Sequence, residues 1–263
     1  MLARKKRLII LSVILSVALI IVILASTLFT LKSVRVEFKN QRHVLDADLV
    51  SDNQIIDSAK IQYGSNMLFT SVKGYTENIE KSIGYAQVVK VERVFPNSLT
   101  LHIAERTPVV RVVAEDGMYY VLDRYLKVLR VTNYSSLYTI NGELDCPILN
   151  IDGLEIDKYQ MGDFIENETL ESILMNLFNA LYGNDESFTM FSNVTVTTNE
   201  SFDVVITLKA VADYGGGYIR IVGMNNLHDK SLKAMRVFRE VRASQSTGFE
   251  YIEVSKGGEI TKK

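Results

Sequence analysis

Residues Leu8 to Leu31 form 24 consecutive residues without a charge, and Arg4, Lys5, Lys6 and Arg7 stand directly before them. As a helix this run is roughly 36 Å long, at about 1.5 Å per residue, enough to cross a hydrocarbon core of about 30 Å with some tilt. A helix satisfies its own backbone hydrogen bonds, so it can lie in lipid. Only Lys32 and Arg35 follow closely on the far side. The charge asymmetry predicts a retained single-pass anchor with residues 1–7 in the cytoplasm and the chain from 32 onwards outside. A cleaved signal peptide has a shorter apolar core and a small-residue cleavage site, and Ala25-Ser26-Thr27 matches such a site poorly.

The remaining 232 residues hold 25 basic and 31 acidic side chains, a formal charge of −6. Nucleic-acid binders usually carry the opposite balance. Cys146 is the one cysteine, so no internal disulfide forms. Low proline and glycine content, three and 15 residues, argues against a long disordered stalk.

Periodicity predicts the order of elements. Val34, Val36 and Phe38 alternate with charged residues, as in a half-buried strand. Ser51-Asp52-Asn53-Gln54 reads as a capping box opening a short helix with Ile55, Ile56 and Ala59 on its apolar side. Tyr75, Ile79 and Ile83 mark a second helix, ended by Gly84. Ala86–Val94 reads as a strand, Pro96-Asn97 as a turn, and Leu99, Leu101 and Ile103 as the inner face of another strand. The order to this point is strand, helix, helix, strand, strand.

Beyond Pro108 the pattern is mostly short strands: Val109–Val113, Met118–Leu122, Lys127–Val131, Phe191–Thr198, Ser201–Lys209, Tyr218–Val222 and Phe249–Val254. Leu170, Ile173, Leu174, Leu177, Phe178 and Leu181 define an amphipathic helix, and Ser231–Arg242 a last one. Residues 255–263 offer little that could pack, and read as a flexible tail.

Val91-Glu92-Arg93-Val94-Phe95-Pro96-Asn97-Ser98-Leu99-Thr100-Leu101-His102-Ile103-Ala104-Glu105-Arg106-Thr107-Pro108 resembles the signature of the bacterial cell-division FtsQ/DivIB family, V-x-R-x-x-P-x-x-L-x-[IV]-x-[IV]-x-E-R-x-P. Gly64-Ser65-Asn66-Met67-Leu68-Phe69 is similar to its G-x-N-L-F element. Tyr120-Val121-Leu122-Asp123 resembles its L-V-D turn, with Arg124-Tyr125 where a glycine is usual. Gly223, Lys230 and Tyr251-Ile252-Glu253-Val254 resemble its C-terminal pattern. The resemblance implies an α+β chain: a transmembrane helix at 8–31, a POTRA domain (β-α-α-β-β) at 32–106, a β-rich domain with helices packed on its sheet at 107–254, and a tail at 255–263. It also implies no enzymatic activity and no cofactor. The implied partners are small single-pass proteins of the FtsB/DivIC and FtsL type, met at the cell membrane and linked to septal peptidoglycan synthesis.

The residues themselves show no catalytic constellation. His43, His102 and His228 have no metal-ligand spacing. No G-x-S-x-G elbow is present. Gly215-Gly216-Gly217 precedes a strand, where phosphate loops precede a helix. Cys146 reads as structural. The chief enzymatic alternative is a type II membrane glycosyltransferase using Asp46-Ala47-Asp48 as a D-x-D metal site, with sequons at Asn133, Asn167, Asn193 and Asn199. A POTRA-bearing export or assembly factor is the non-enzymatic one.

Two places are candidate sites. Glu105, Arg106 and Pro108 read as a domain junction, either an exposed ion pair or a lock stiffened by the proline. Tyr251, Glu253, Ser255, Lys256, Gly258 and Ile260 are the expected partner-binding surface, because the last strand offers an unpaired edge. If Phe249 faces inward, Tyr251 and Glu253 share its face, a conflict that a twist or bulge must relieve.

Overall fold

The computed structural model describes residues 2–39, 51–133, 146–182, 190–244 and 249–263. They form two compact units, Met1–Glu105 and Arg106–Lys263. Asp46, Asp48 and His43 lie outside the described residues.

The first unit opens with helix α1, Leu2–Leu28. Its side chains from Ile10 to Ile20 are exposed and, Ser12, Ser16 and Ala18 apart, bulky and apolar. No helix among the described residues is long and apolar enough to cross a membrane; Ile10–Ile20 is the longest stretch of α1 whose side chains are described. The span at 8–31 therefore stays an expectation of the sequence.

After α1 come β1 (Ser33–Phe38), α2 (Asp52–Ser58), α3 (Val72–Ser82), β2 (Ala86–Val94) and β3 (Ser98–Glu105). The capping box forms as read: Ser51 Oγ accepts from Gln54 N, and the Gln54 side chain accepts from Ser51 N. Helix α3 ends at Ser82 with Ile83 in extended conformation, and Gly84 does not take the positive φ of a glycine cap. The three strands order as β1-β3-β2, with β1 parallel and β2 antiparallel to the central β3. Leu99, Leu101 and Ile103 alternate inward and close a core with Ile55, Ala59, Met67, Tyr75, Ile79 and Ala86. A bulge between Val88 and Lys90 is held by Glu80, whose Oε1 accepts from Val88 N at 2.8 Å.

The second unit contains β4 (Val110–Val113), β5 (Tyr119–Leu122), β6 (Val128–Thr132), β7 (Ile148–Ile151), α4 (Glu168–Tyr182), β8 (Phe191–Thr198), β9 (Val204–Ala210), β10 (Tyr218–Val222), α5 (Leu227–Ala243), β11 (Tyr251–Val254) and β12 (Ile260–Lys262). Among the described residues these strands make one nine-stranded sheet, ordered β12-β11-β10-β9-β8-β7-β4-β5-β6. Leu170, Ile173, Leu174 and Leu177 of α4 join Ala234, Met235 and Phe238 of α5 against Val194, Leu208, Ile219 and Ile252 of the sheet, in one core. Each helix buries the face that its 3.6-residue period assembles.

Several boundaries differ from the sequence reading, three of them with a clear local cause. Ser201–Asp203 is a turn before β9: Asn199 Oδ1 accepts from Ser201 N and Asp203 N, and Phe202 has φ +58°. Helix α5 starts a turn earlier, at Leu227. Above all, residues 255–263 are not a loose tail, because Ile260–Lys262 forms β12 on β11.

Leu101 is fully buried at the centre of β3. Leu101→Ala is expected to destabilise the first unit by about 2–5 kcal/mol, the range for emptying such a site. Urea denaturation followed by circular dichroism measures it.

Candidate functional site at the C-terminal sheet edge

Strand β11 lies parallel to β10, with Tyr218 opposite Tyr251 and Arg220 opposite Glu253. A parallel neighbour needs a crossover connection, and α5 supplies it. Ile252 and Val254 are completely buried against the core, so Tyr251 and Glu253 point to the opposite face. There Arg220 Nη1 donates to Glu253 Oε2 at 3.3 Å. The expected conflict at Phe249 does not arise. The strand begins only at Tyr251, and the Phe249 ring turns to Phe238, edge-on at 5.8 Å. Gly217 permits this approach: a Cβ there would lie 2.2 Å from the Phe249 carbonyl oxygen.

The chain then reverses tightly. Gly258 N donates to Ser255 O at 2.9 Å, Glu259 N donates to Ser255 Oγ at 3.1 Å, and Gly258 takes φ +86°. Lys233 Nζ donates to Gly258 O at 3.4 Å, and Lys256 pairs with Asp203 at 2.7 Å. Ser255, Lys256 and Gly258 thus build the turn. Ile260 lies on the new edge strand.

The register of that strand decides which backbone groups are free. Tyr251 and Lys263 exchange N–H···O bonds of 3.1 and 3.0 Å, and Ser255 N donates to Glu259 O at 2.9 Å. In an antiparallel ladder bonded and non-bonded pairs alternate. Thr261, opposite Glu253, therefore turns its N–H and C=O towards β11, and Ile260 and Lys262 turn theirs away from the sheet. At the other end of the sheet the start of β6 is covered. Val128 N donates to Asp163 O, and Gly162 N donates to Val128 O. The sequence reading missed Thr261 and Lys262, although Gly257-Gly258 between two short β-like runs is a hairpin signal.

Lys230 anchors this region from below. Its Nζ donates to Val222 O at 2.7 Å and Gly223 O at 3.2 Å, where Gly223 takes φ +76°. Burial lowers its pKa from the ordinary lysine value; Asp203 opposes that shift and Lys256 adds to it.

Of the two readings of the junction, the exposed pair is excluded, because Glu105 and Arg106 are both buried. Glu105 closes β3 opposite Ala86 in the first unit, and Pro108 lies half-buried before β4. Arg106 is buried and its Nη1 donates to Asp123 Oδ2 at 2.8 Å. Asp123 Oδ1 also accepts from Tyr125 N and Lys127 N, both at 2.9 Å. The missing glycine of this turn is answered by Leu126, which takes φ +59°. The Arg106 guanidinium lies 5.8 Å from the Phe164 ring centroid, within cation–π range.

His102 is not isolated in space. Its Nδ1 lies 3.3 Å from Glu37 Oε2 and its Nε2 2.9 Å from Glu92 Oε2. The bond to His102, followed by the contact with Lys90, lowers the Glu92 pKa. The carboxylates sit on opposite sides of the ring, so they cannot converge with it on one cation, and no group of metal-ligating side chains occurs among the described residues. Cys146 is buried beside Val121. The sequon asparagines Asn167 and Asn199 spend their side chains on backbone N–H groups, Asn167 on Leu170.

Two outcomes follow. Asp123→Ala leaves Arg106 buried without its carboxylate and is expected to cost about 3–5 kcal/mol, read by urea denaturation. Lys230 has a folded pKa below its unfolded one. Between those two values the unfolded chain binds more protons, so stability rises with pH through the alkaline window below 10.5. Lys230→Met is expected to remove that rise, seen as a wild-type-minus-variant stability difference that grows with pH across an alkaline series.

Comparison with curated proteins finds no match. Comparison with protein families matches residues 30–106 to the POTRA domain, FtsQ-type. This is the segment of β1, α2, α3, β2 and β3. The chain carries an FtsQ-type POTRA domain, and that domain supports its resemblance to the FtsQ/DivIB family.

Proposed function

We propose that this chain is a non-catalytic division-site scaffold, held in the cell membrane by α1 with its N-terminus in the cytoplasm, that captures single-pass partners of the FtsB/DivIC and FtsL type by strand addition at β12. Through them it couples to septal peptidoglycan synthesis. The observation that carries this reading is the edge itself. Ile260 and Lys262 direct backbone donors and acceptors away from the sheet, on a strand already fixed in register by β11. An extended segment laid there gains main-chain hydrogen bonds, and alternate side chains set its identity. The short length of β12 and the lysines at its end, Lys262 in the strand and Lys263 after it, limit pairing with arbitrary strands. Tyr251 and Glu253 lie on the adjoining face and are available to the partner's side chains. The FtsQ-type POTRA domain supports the division setting, and no observation favours a glycosyltransferase or an export factor.

Proline substitution separates edge pairing from fold. At Ile260 or Lys262 the lost N–H points outward, so each variant is expected to fold. Each loses about fivefold in affinity for an FtsB/DivIC-type ectodomain, the worth of one hydrogen bond of ~1 kcal/mol. Thr261→Pro removes a bond to β11 and is expected to lose the hairpin and the partner together. Hydrogen exchange at β11 reports the hairpin, and titration calorimetry the affinity. Unchanged binding by a folded Ile260→Pro would rule the edge out.

A further inference from the structure

The first unit holds an apolar tip in the open by polar means. Leu68 and Phe69 are exposed, Phe69 at 87%, although the preceding Met67 is fully buried. Their loop is closely tied. Asn66 Oδ1 accepts from Leu68 N at 2.9 Å, and Phe69 N donates to Asn66 O at 3.1 Å. Arg93 spans the loop, donating through Nε to Met67 O and through Nη2 to Thr70 O, each at 2.9 Å. Thr70 Oγ1 donates to Met67 O at 3.0 Å. A loop with so many bonds does not expose a phenylalanine through looseness.

The same loop is fastened to the end of α1. Met67 N donates to Phe29 O at 2.8 Å, Leu31 N to Ser65 O at 2.9 Å, and Gly64 N to Leu31 O at 2.9 Å. Phe29 packs edge-on against Phe95 of the β2–β3 turn at 5.5 Å, and Phe95 is itself half exposed. Leu28, Tyr63 and Val94 add further exposed apolar surface. These bonds, the reach of Arg93 and the Phe29–Phe95 contact bring the tip, the turn and the exit of the apolar helix together, with exposed Lys32 next after Leu31.

We infer that Leu68, Phe69 and Phe95 dock the POTRA domain onto the lipid surface, inserting at headgroup level beside the exit of α1. The inference rests on the reading of α1 as a membrane anchor. If α1 crosses the bilayer, three backbone hydrogen bonds hold this loop at its outer end, the depth where aromatic side chains and flanking cations are favoured. Continuity with the apolar helix selects lipid over a protein groove as occupant. Arg93 is then a positioning residue: it sets the loop that presents the tip.

The chain contains no tryptophan, so a single introduced indole reports its surroundings without background. Full-length Phe69→Trp is reconstituted in phosphatidylethanolamine–phosphatidylglycerol vesicles, with Leu19→Trp, in the middle of α1, as reference. The expected result for Phe69→Trp is emission at shorter wavelength than in detergent-free buffer-exposed indole. Lipids brominated near the headgroup should quench it more strongly than lipids brominated near the chain ends, and Leu19→Trp should show the reverse order. Quenching of Leu19→Trp by deep bromines with Phe69→Trp open to aqueous acrylamide overturns the docking and leaves the anchor standing. Failure of both to respond to brominated lipid overturns both readings. Shielding of Phe69→Trp from acrylamide without quenching by lipid bromines also overturns lipid docking, and assigns the patch to a protein contact.

Discussion

The second unit depends on one buried ammonium. Lys230 stands in the first turn of α5, where the helix dipole disfavours a cation. It is held there because Val222 and Gly223 present their carbonyl oxygens to it at the end of β10. The bond fixes where β10 stops and where α5 departs. The crossover of α5 then sets β11 parallel to β10, and β11 sets the register of β12. Remove the lysine, and two carbonyls and the start of the helix lose their common partner. The geometry of the edge is therefore settled on the other side of the crossover.

Local physics made much of the first unit legible. Alternation in Val34–Phe38 and Leu99–Ile103, the capping box at Ser51 and the period of Tyr75 and Ile79 each specify an element within a few residues, although the sheet order β1-β3-β2 is not the chain order. In the second unit the long helices were equally plain, because α4 repeats its apolar face over eleven residues. What escaped was short or conditional. Ile148–Ile151 is a four-residue strand whose partners β4 and β8 are distant in sequence. Ile260–Lys262 has almost no apolar content, and forms because β11 and the Ser255–Gly258 turn present a ladder to it.

The same limit applies to the polar clusters. Arg106 and Asp123 are 17 residues apart, and nothing in either neighbourhood announces the other. Glu37, Glu92 and His102 meet because β1 and β2 flank β3. Such groupings are products of strand order, which residue periodicity does not encode. The adjacency of Glu105 and Arg106 says little about their contacts for a related reason: neighbours along an extended chain point to opposite sides. Arg106 finds its carboxylate across a turn, at the cost of desolvating both charges.

The arrangement of the last three strands also has mechanical meaning. Bonds between β11 and β12, and between β10 and β11, run across the strand direction. Tension applied along β12 strains every rung of the ladder together, as shear. Tension applied across it parts the rungs one at a time from the Ser255–Gly258 turn or from Lys263. A tether joined to this edge as a further strand would hold best when pulled lengthwise, and would peel away under a much smaller sideways force.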